Sequence, residues 1–182
     1  MGEIIIRPVT EADTAELLKI YAPYVTDTIV TYEYDVPTEE EFRGRIQNTL
    51  KAYPYFAAVQ DGKILGYAYA SAFHPRAAYI WSAEATVYLR MEERGKGIGK
   101  MLYAALEDAL RKQNVQNVNA CIAYPNPDSI AFHEAMGYHQ VGKFTDCAYK
   151  LGQWLGMVWM EKSLGEHPDP PKAFIPYPEI TE

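Results

Sequence analysis

Two rhythms of apolar residues run along this chain, one of period two and one near 3.6. Glu3–Arg7 (E-I-I-I-R) reads as a first strand. Thr10 occupies an N-cap position, with Asp13 three residues on in a capping-box place. The helix predicted from Glu11 to about Tyr24 carries Leu17, Leu18 and Tyr21 at helical spacing. Residues 28–37 are polar and aromatic and follow neither rhythm. Thr38 is a second N-cap candidate, and the glutamates after it suit the positive end of a helix dipole. That helix runs to about Lys51, with Phe42, Ile46 and Leu50 on one face.

Strands dominate the middle of the chain. Tyr55–Gln60 and Lys63–Phe73 flank Asp61-Gly62, a strong hairpin signal. Ala78–Leu89 reads as a third long strand. A glycine-rich loop follows, then an amphipathic helix whose apolar stripe is Ile98, Met101, Leu102, Ala105, Leu106, Ala109 and Leu110. Gln116–Ala123 is strand-like. Asn126-Pro127-Asp128 opens a short helix with a cap, a first-turn proline and an acid. That helix ends near Met136-Gly137. Tyr138–Lys150 and Trp154–Lys162 are the last strands, and the tail from Gly165 to Glu182, rich in proline, reads as extended and irregular. The order predicts an α/β chain (α+β mixed), one mixed sheet with helices on its faces. Residues 1–164 form the domain and residues 165–182 the tail.

Size and charge narrow the function classes. A chain of 182 residues suits one domain with a continuous core. The net charge of −7 and the lack of a basic tract argue against nucleic acid as a main partner. The two cysteines, Cys121 and Cys147, form no C-x-x-C pair and fall in apolar strands. Buried free thiols in a reducing compartment are expected. No apolar run reaches the roughly 18 residues of a membrane span. The N-terminus lacks a signal-peptide pattern. A cytoplasmic protein without a membrane partner follows as an expectation.

The chemistry concentrates in Glu84–Lys100, E-A-T-V-Y-L-R-M-E-E-R-G-K-G-I-G-K. A β-branched and aromatic strand feeds a loop with Gly95, Gly97 and Gly99, and a helix begins at once. Glycines let backbone N–H groups approach an anion, and a helix N-terminus supplies unpaired donors. Arg94, Lys96 and Lys100 add positive charge. A pyrophosphate cradle is one reading; a tight turn without a ligand is the other. A P-loop needs G-K-S or G-K-T, which Gly99-Lys100-Met101 does not supply. A Rossmann fingerprint needs G-x-G-x-x-G after a first strand, and here the spacing is G-x-G-x-G after several.

Arg94-Gly95-Lys96-Gly97-Ile98-Gly99 matches the R-x-x-G-x-G motif of the GNAT acetyltransferase superfamily, and this stretch resembles it in context as well. Asn126, Ser129, His133, Gly137 and Tyr138 resemble a second element of that superfamily at its spacing. Ala78–Tyr88, His133–Tyr138 and Tyr149–Trp154 are similar to the phosphinothricin and methionine-sulfoximine N-acetyltransferase branch. The resemblance covers about Ile4 to Leu164. It implies the GNAT fold, a mostly antiparallel mixed sheet of about seven strands with about four helices, splayed at an acetyl-CoA cleft. It implies an acetyl-CoA co-substrate, a small-molecule amine acceptor, no metal and a homodimer.

The resemblance also implies roles. Val87, Tyr88 and Leu89 would pair with the pantetheine arm, and the N–H groups of Gly95, Lys96, Gly97, Ile98, Gly99 and Lys100, beside Arg94, would hold the pyrophosphate. Asn126 resembles the asparagine that contacts the CoA arm, with Ser129 assisting; N-capping also explains its position. Glu84 stands where the branch places its general base. By strand alternation Glu84 shares a face with Ser82, Thr86 and Tyr88, opposite Trp81, Ala83, Ala85 and Val87. A mid-strand carboxylate needs a partner, a solvated cleft or a function. An amine must lose a proton before it attacks a thioester, which is a base's work; an ordinary surface ion pair is the alternative. His133 replaces the tyrosine that many members use as an acid, so it reads as a second base, a thiolate donor or a packed histidine. Tyr103 and Tyr149 read as core or rim tyrosines. His74, Pro75 and Arg76, with Glu84, Ala85 and Thr86, would border the acceptor site. Arg76 suits a carboxylate or phosphinate, or is a surface hairpin arginine. Tyr32 and Glu33 are further candidates for the acceptor pocket.

Two competing readings stand at this point. One is transfer to another amine, such as a polyamine, an aminoglycoside or a protein N-terminus. The other is a CoA-binding module of the same fold without catalysis.

Overall fold

A computed structural model describes residues 2–180. Seven strands form one sheet in the order β1-β2-β3-β4-β5-β7-β6. They are β1 (Ile5–Pro8), β2 (Tyr55–Gln60), β3 (Lys63–Ala72), β4 (Ser82–Leu89), β5 (Asn117–Tyr124), β6 (His139–Lys150) and β7 (Gln153–Ser163). Neighbours run antiparallel except β4 and β5. The helices are α1 (Thr14–Asp27), α2 (Glu39–Leu50), α3 (Ile98–Lys112), α4 (Pro127–Ala135) and the short α5 (Tyr177–Ile180).

Local signals set the helix ends. The Thr10–Asp13 and Thr38–Glu41 capping boxes both form, the first leading through a 3-10 turn into α1. Each cap of this kind contributes about 1 kcal/mol. Helix α3 lays Ile98, Leu102, Leu106 and Leu110 on one sheet face against Ala58, Ala68, Ala70, Ala83 and Ala85. The row of alanines lets the helix lie close. Burying each leucine contributes about 1.5–3 kcal/mol. Helices α1 and α2 cover the other face through Leu17, Ile20, Val25, Phe42 and Ile46, over Tyr55, Ala57 and Tyr67.

Three expectations change. The strand predicted from Ala78 begins only at Ser82, because residues 77–79 close a 3-10 turn through Tyr79 N–H to the Arg76 carbonyl. That apolar run lacks a period-two alternation, and Tyr79 and Ile80 are exposed. Cys121 and Cys147 are exposed rather than buried. Cys121 lies past the point where β4 leaves β5, and Cys147 lies in an irregularity of the edge strand β6. The tail is mostly extended, as expected, but it is bound to the body. The Trp81 indole N–H donates to the Lys172 carbonyl, and the Gln113 amide donates to the carbonyls of Ala52 and Ile175. Tyr177 in α5 is buried. The last two residues of the expected tail, Thr181 and Glu182, lie outside the described residues.

Candidate active site

The site exists because two strands part. β4 and β5 pair only from Ser82 to Glu84 and from Asn117 to Asn119. Beyond Glu84 opposite Asn119, β4 stays with β3 while β5 stays with β7. Residues 85–89 therefore have no strand partner on their β5 side. An unpaired strand edge offers backbone donors and acceptors to an extended ligand. Glu84 stands at the apex of this wedge.

A cavity of about 550 Å³ opens from the wedge toward the start of α3. That is within the roughly 300–1,000 Å³ of small-molecule sites. Val87, Leu89, Arg94, Gly95, Gly97, Gly99, Lys100, Asn126 and Ser129 line it. Gly97 caps α3 with φ of 80°, a left-handed conformation that favours glycine. The first-turn N–H groups of α3 have no helical acceptor and are ready for an anion. A Cβ on Gly99 would stand 3.3 Å from the Phe132 ring, which itself lines the cavity. The cradle thus fits the pyrophosphate and extended arm of a CoA thioester. Lys96 and Ile98 do not line it: the Lys96 ammonium pairs with Glu93 at 2.9 Å, and Ile98 is core. Asn126 caps α4, its Oδ1 accepting from Ser129 N–H at 3.3 Å.

A second cavity of about 60 Å³ adjoins the first. Val30, Val87, Asn126 and Ser129 line both, while Ala85, Thr86, Tyr88, Tyr103, Cys121 and His133 line only the smaller. His133 is 3% exposed. Its Nδ1 lies 2.7 Å from the Ser129 carbonyl, so Nδ1 carries the proton and donates it. Nε2 then accepts from the Tyr103 hydroxyl at 2.9 Å. Burial lowers the His133 pKa, partly offset by the Ser129 bond, and the imidazole is neutral. Burial pushes the Tyr103 phenol far up, so it keeps its proton. Burial alone raises the Glu84 carboxyl above its ordinary value. Cys121 is exposed as a residue, but its thiol, in the lining of the smaller cavity, is partly desolvated and pushed up to about 11, so it is no ready nucleophile.

The irregular segment 28–37 forms a roof tied to both sides. The Tyr21 hydroxyl meets Thr31 Oγ1 at 2.9 Å and donates to Glu33 at 2.7 Å. Arg45 pairs with Glu33 at 2.7 Å. Burial alone would raise the Glu33 carboxyl, but the Arg45 and Tyr21 bonds hold it below its ordinary value. From the far side, the buried Lys150 ammonium donates to the Thr31 carbonyl at 2.7 Å. The Tyr32 hydroxyl donates to the Gly156 carbonyl. His74, Pro75 and Arg76 lie in the β3–β4 connection and line neither cavity; Arg76 is exposed.

The acetyltransferase (GNAT) domain family matches residues 6–159 of this chain. The chain belongs to that family. It is 32% identical to the phosphinothricin N-acetyltransferase of Streptomyces viridochromogenes, over 96% of this chain and 95% of that protein. It is 27% identical to the L-methionine sulfoximine/L-methionine sulfone acetyltransferase of Salmonella typhimurium, over 91% and 97%. A crystal structure of a phosphinothricin acetyltransferase from Sinorhizobium meliloti, in complex with acetyl-CoA, superposes with a TM-score of 0.88. That protein is 35% identical, over 93% of this chain and 92% of that one. The GNAT fold and the acetyltransferase class expected from the sequence both stand.

Several residues of this GNAT acetyltransferase site carried no signal of function in the sequence. Tyr103 lies beside the apolar stripe of α3 and reads as core, yet its hydroxyl reaches the small cavity. Val30 sits in the segment without periodicity. Lys150 ends β6 and is 3% exposed. Only long-range pairing joins Val30 and Lys150 to the wedge, and local patterning does not record it.

Proposed function

We propose that the enzyme acetylates the amino group of a small amino-acid-like substrate of the phosphinothricin, methionine sulfoximine or methionine sulfone type, with acetyl-CoA as donor and without a metal. The observation that carries this reading is Glu84, a carboxylate raised by burial at the apex of a wedge that opens into a glycine-lined anion cradle. Acetyl-CoA, when bound, supplies an electrophilic carbonyl and a thiolate leaving group. Arg94, Lys100 and the α3 N-terminus hold the diphosphate, and the free edge of Val87–Leu89 holds the arm. Glu84 takes one proton from the ammonium group and passes it to solvent. The C–N bond would form as the carbonyl π electrons move to oxygen, and their return would break the C–S bond. One proton stays on the amide, and the third goes to the departing thiolate beside Tyr103 and His133. A backbone N–H near Val87 stabilises the oxyanion. His133 acts as a positioning residue through Tyr103, since burial keeps it neutral. By the family resemblance Arg76, with His74 and Pro75, would meet the acidic end of the acceptor outside both cavities, and Ala85, Thr86 and Tyr32 would border it.

The reading extends to a homodimer in the cytoplasm, with no nucleic-acid or membrane partner. Exposed Val141, Phe144, Tyr149, Leu151 and Trp154 on the β6–β7 hairpin support self-association. Among the described residues no helix is long and apolar enough to cross a membrane. The tail from Gly165 to Ile180 acts as a strap on the domain of residues 1–164. The test is kcat/KM for phosphinothricin, methionine sulfoximine and methionine sulfone against polyamines and ordinary amino acids. The first group is expected to exceed the rest by at least about tenfold, a difference of about 1.4 kcal/mol in transition-state binding. Preference for a polyamine, or CoA binding without turnover of any amine, overturns the reading.

A further inference from the structure

We propose that Val30 limits the length of the acyl group that the enzyme accepts, acting as a fixed wall of the small cavity beside its junction with the cradle. This rests on the donor reading above and goes beyond it.

Three observations converge on Val30. It lines both cavities, together with Val87, Asn126 and Ser129, so it stands at their junction. The cavity beyond that junction is about 60 Å³ against about 550 Å³ for the cradle side. The backbone around Val30 is held on both sides. Before it, Thr28 Oγ1 donates to the Tyr24 carbonyl at 2.8 Å and accepts from Val30 N–H at 3.1 Å. After it, Thr31 is held through its hydroxyl by Tyr21 and through its carbonyl by Lys150. A β-branched side chain is stiff at χ1. Val30 is thus a rigid wall rather than a mobile loop residue.

The physical consequence is a steep dependence on acyl length. An acyl group that enters the small cavity passes along Val30, one of its lining residues, and each further methylene must fit within about 60 Å³ against a side chain whose segment four hydrogen bonds hold. One methylene too many in such a pocket costs about 10–200-fold. Removing two methyl groups at Val30 gives that methylene room, while the cradle at Gly95–Lys100 is untouched.

The test is calorimetric binding of CoA, acetyl-CoA, propionyl-CoA and butyryl-CoA to the full chain, which needs no knowledge of the amine. In the wild type, affinity is expected to fall about tenfold or more from acetyl-CoA to propionyl-CoA, and again to butyryl-CoA. In V30A the thioester affinities, each taken relative to CoA in the same variant, should converge, each step falling to about threefold or less, below the methylene effect of a closed pocket, and an unchanged melting temperature reports an intact fold. V30I should weaken acetyl-CoA relative to CoA. Comparable wild-type affinity for all three thioesters overturns the proposal, as does an unaltered series in V30A or an equal loss of CoA and thioester binding. Failure of the wild type to bind CoA at all overturns the donor reading as well; the other negative results overturn only the role of Val30.

Discussion

The Tyr103 hydroxyl, on α3, lies 2.9 Å from Nε2 of His133, on α4, and both residues are buried at the wall of the smaller cavity. The pair joins two helices beside the parting of β4 and β5. Because Nδ1 of His133 is engaged by the Ser129 carbonyl, the Tyr103 hydroxyl is the donor to Nε2.

Tyr103→Phe should therefore leave a buried imidazole nitrogen without a donor. Stability should fall by about 1–3 kcal/mol, read from denaturant midpoints at constant slope. On the proposed mechanism kcat falls while the KM for acetyl-CoA holds. His133→Gln, which keeps polar atoms near Tyr103, should retain part of kcat. Unchanged kcat in Tyr103→Phe would remove the pair from the reaction.

Glu84 sets a pH dependence with a defined sign. Its carboxyl is raised by burial, so kcat/KM should climb with pH through a titration above the ordinary glutamate range. The same shift bears on stability. A folded-state pKa above the unfolded one favours the fold at low pH and loses that contribution as pH rises through the folded value. Glu84→Gln should abolish the acid limb and most of kcat, with acetyl-CoA affinity nearly constant. At neutral pH its melting temperature should equal or exceed the wild-type value, and the difference should shrink on acidification. A wild-type pH–rate profile in Glu84→Gln would exclude Glu84 as the base.

Asn126 has a cap role and a proposed donor role that substitution can separate. Asn126→Ala should cost about 1 kcal/mol of stability through the lost α4 cap. Asn126→Ser keeps a capping oxygen and should restore stability. It should still bind acetyl-CoA about tenfold more weakly, a loss of about 1.4 kcal/mol. Full recovery of both properties in the serine variant would reduce Asn126 to a cap.

Lys150 is 3% exposed and ties β6 to the roof through the Thr31 carbonyl at 2.7 Å. Lys150→Met keeps most of the length of the stem and removes the donor. Stability should drop by about 1–3 kcal/mol, and the acceptor KM should rise while donor affinity holds. Weaker donor binding with an unchanged acceptor KM would place the roof over the cradle alone.

The helices were legible because their signals are local. Thr38 and Glu41 form the capping box that their spacing announces, and the stripe from Ile98 to Leu110 faces the core as its period requires, except at Met101, which is exposed at the stripe's edge. The Asp61-Gly62 turn joins β2 and β3 as predicted. The faces of β4 alternate as expected, with Ala83 and Ala85 in the core and Glu84 and Thr86 opposite them. The false start at Ala78 came from an apolar run without alternation, and the cysteines were misplaced because strand composition does not report what covers a strand.

By itself, the sequence determined most of the elements, the glycine loop at the start of α3 and the family, since glycine spacing, caps and periodicity are all encoded within a few residues of one another. The tertiary structure alone decided what surrounds the reacting groups. Where β4 leaves β5 depends on the competing pairings with β3 and β7. That parting places Glu84 at the apex, brings Tyr103 to His133 and sets Val30 at the junction of the two cavities. Such contacts join residues far apart in the chain, and no local pattern records them.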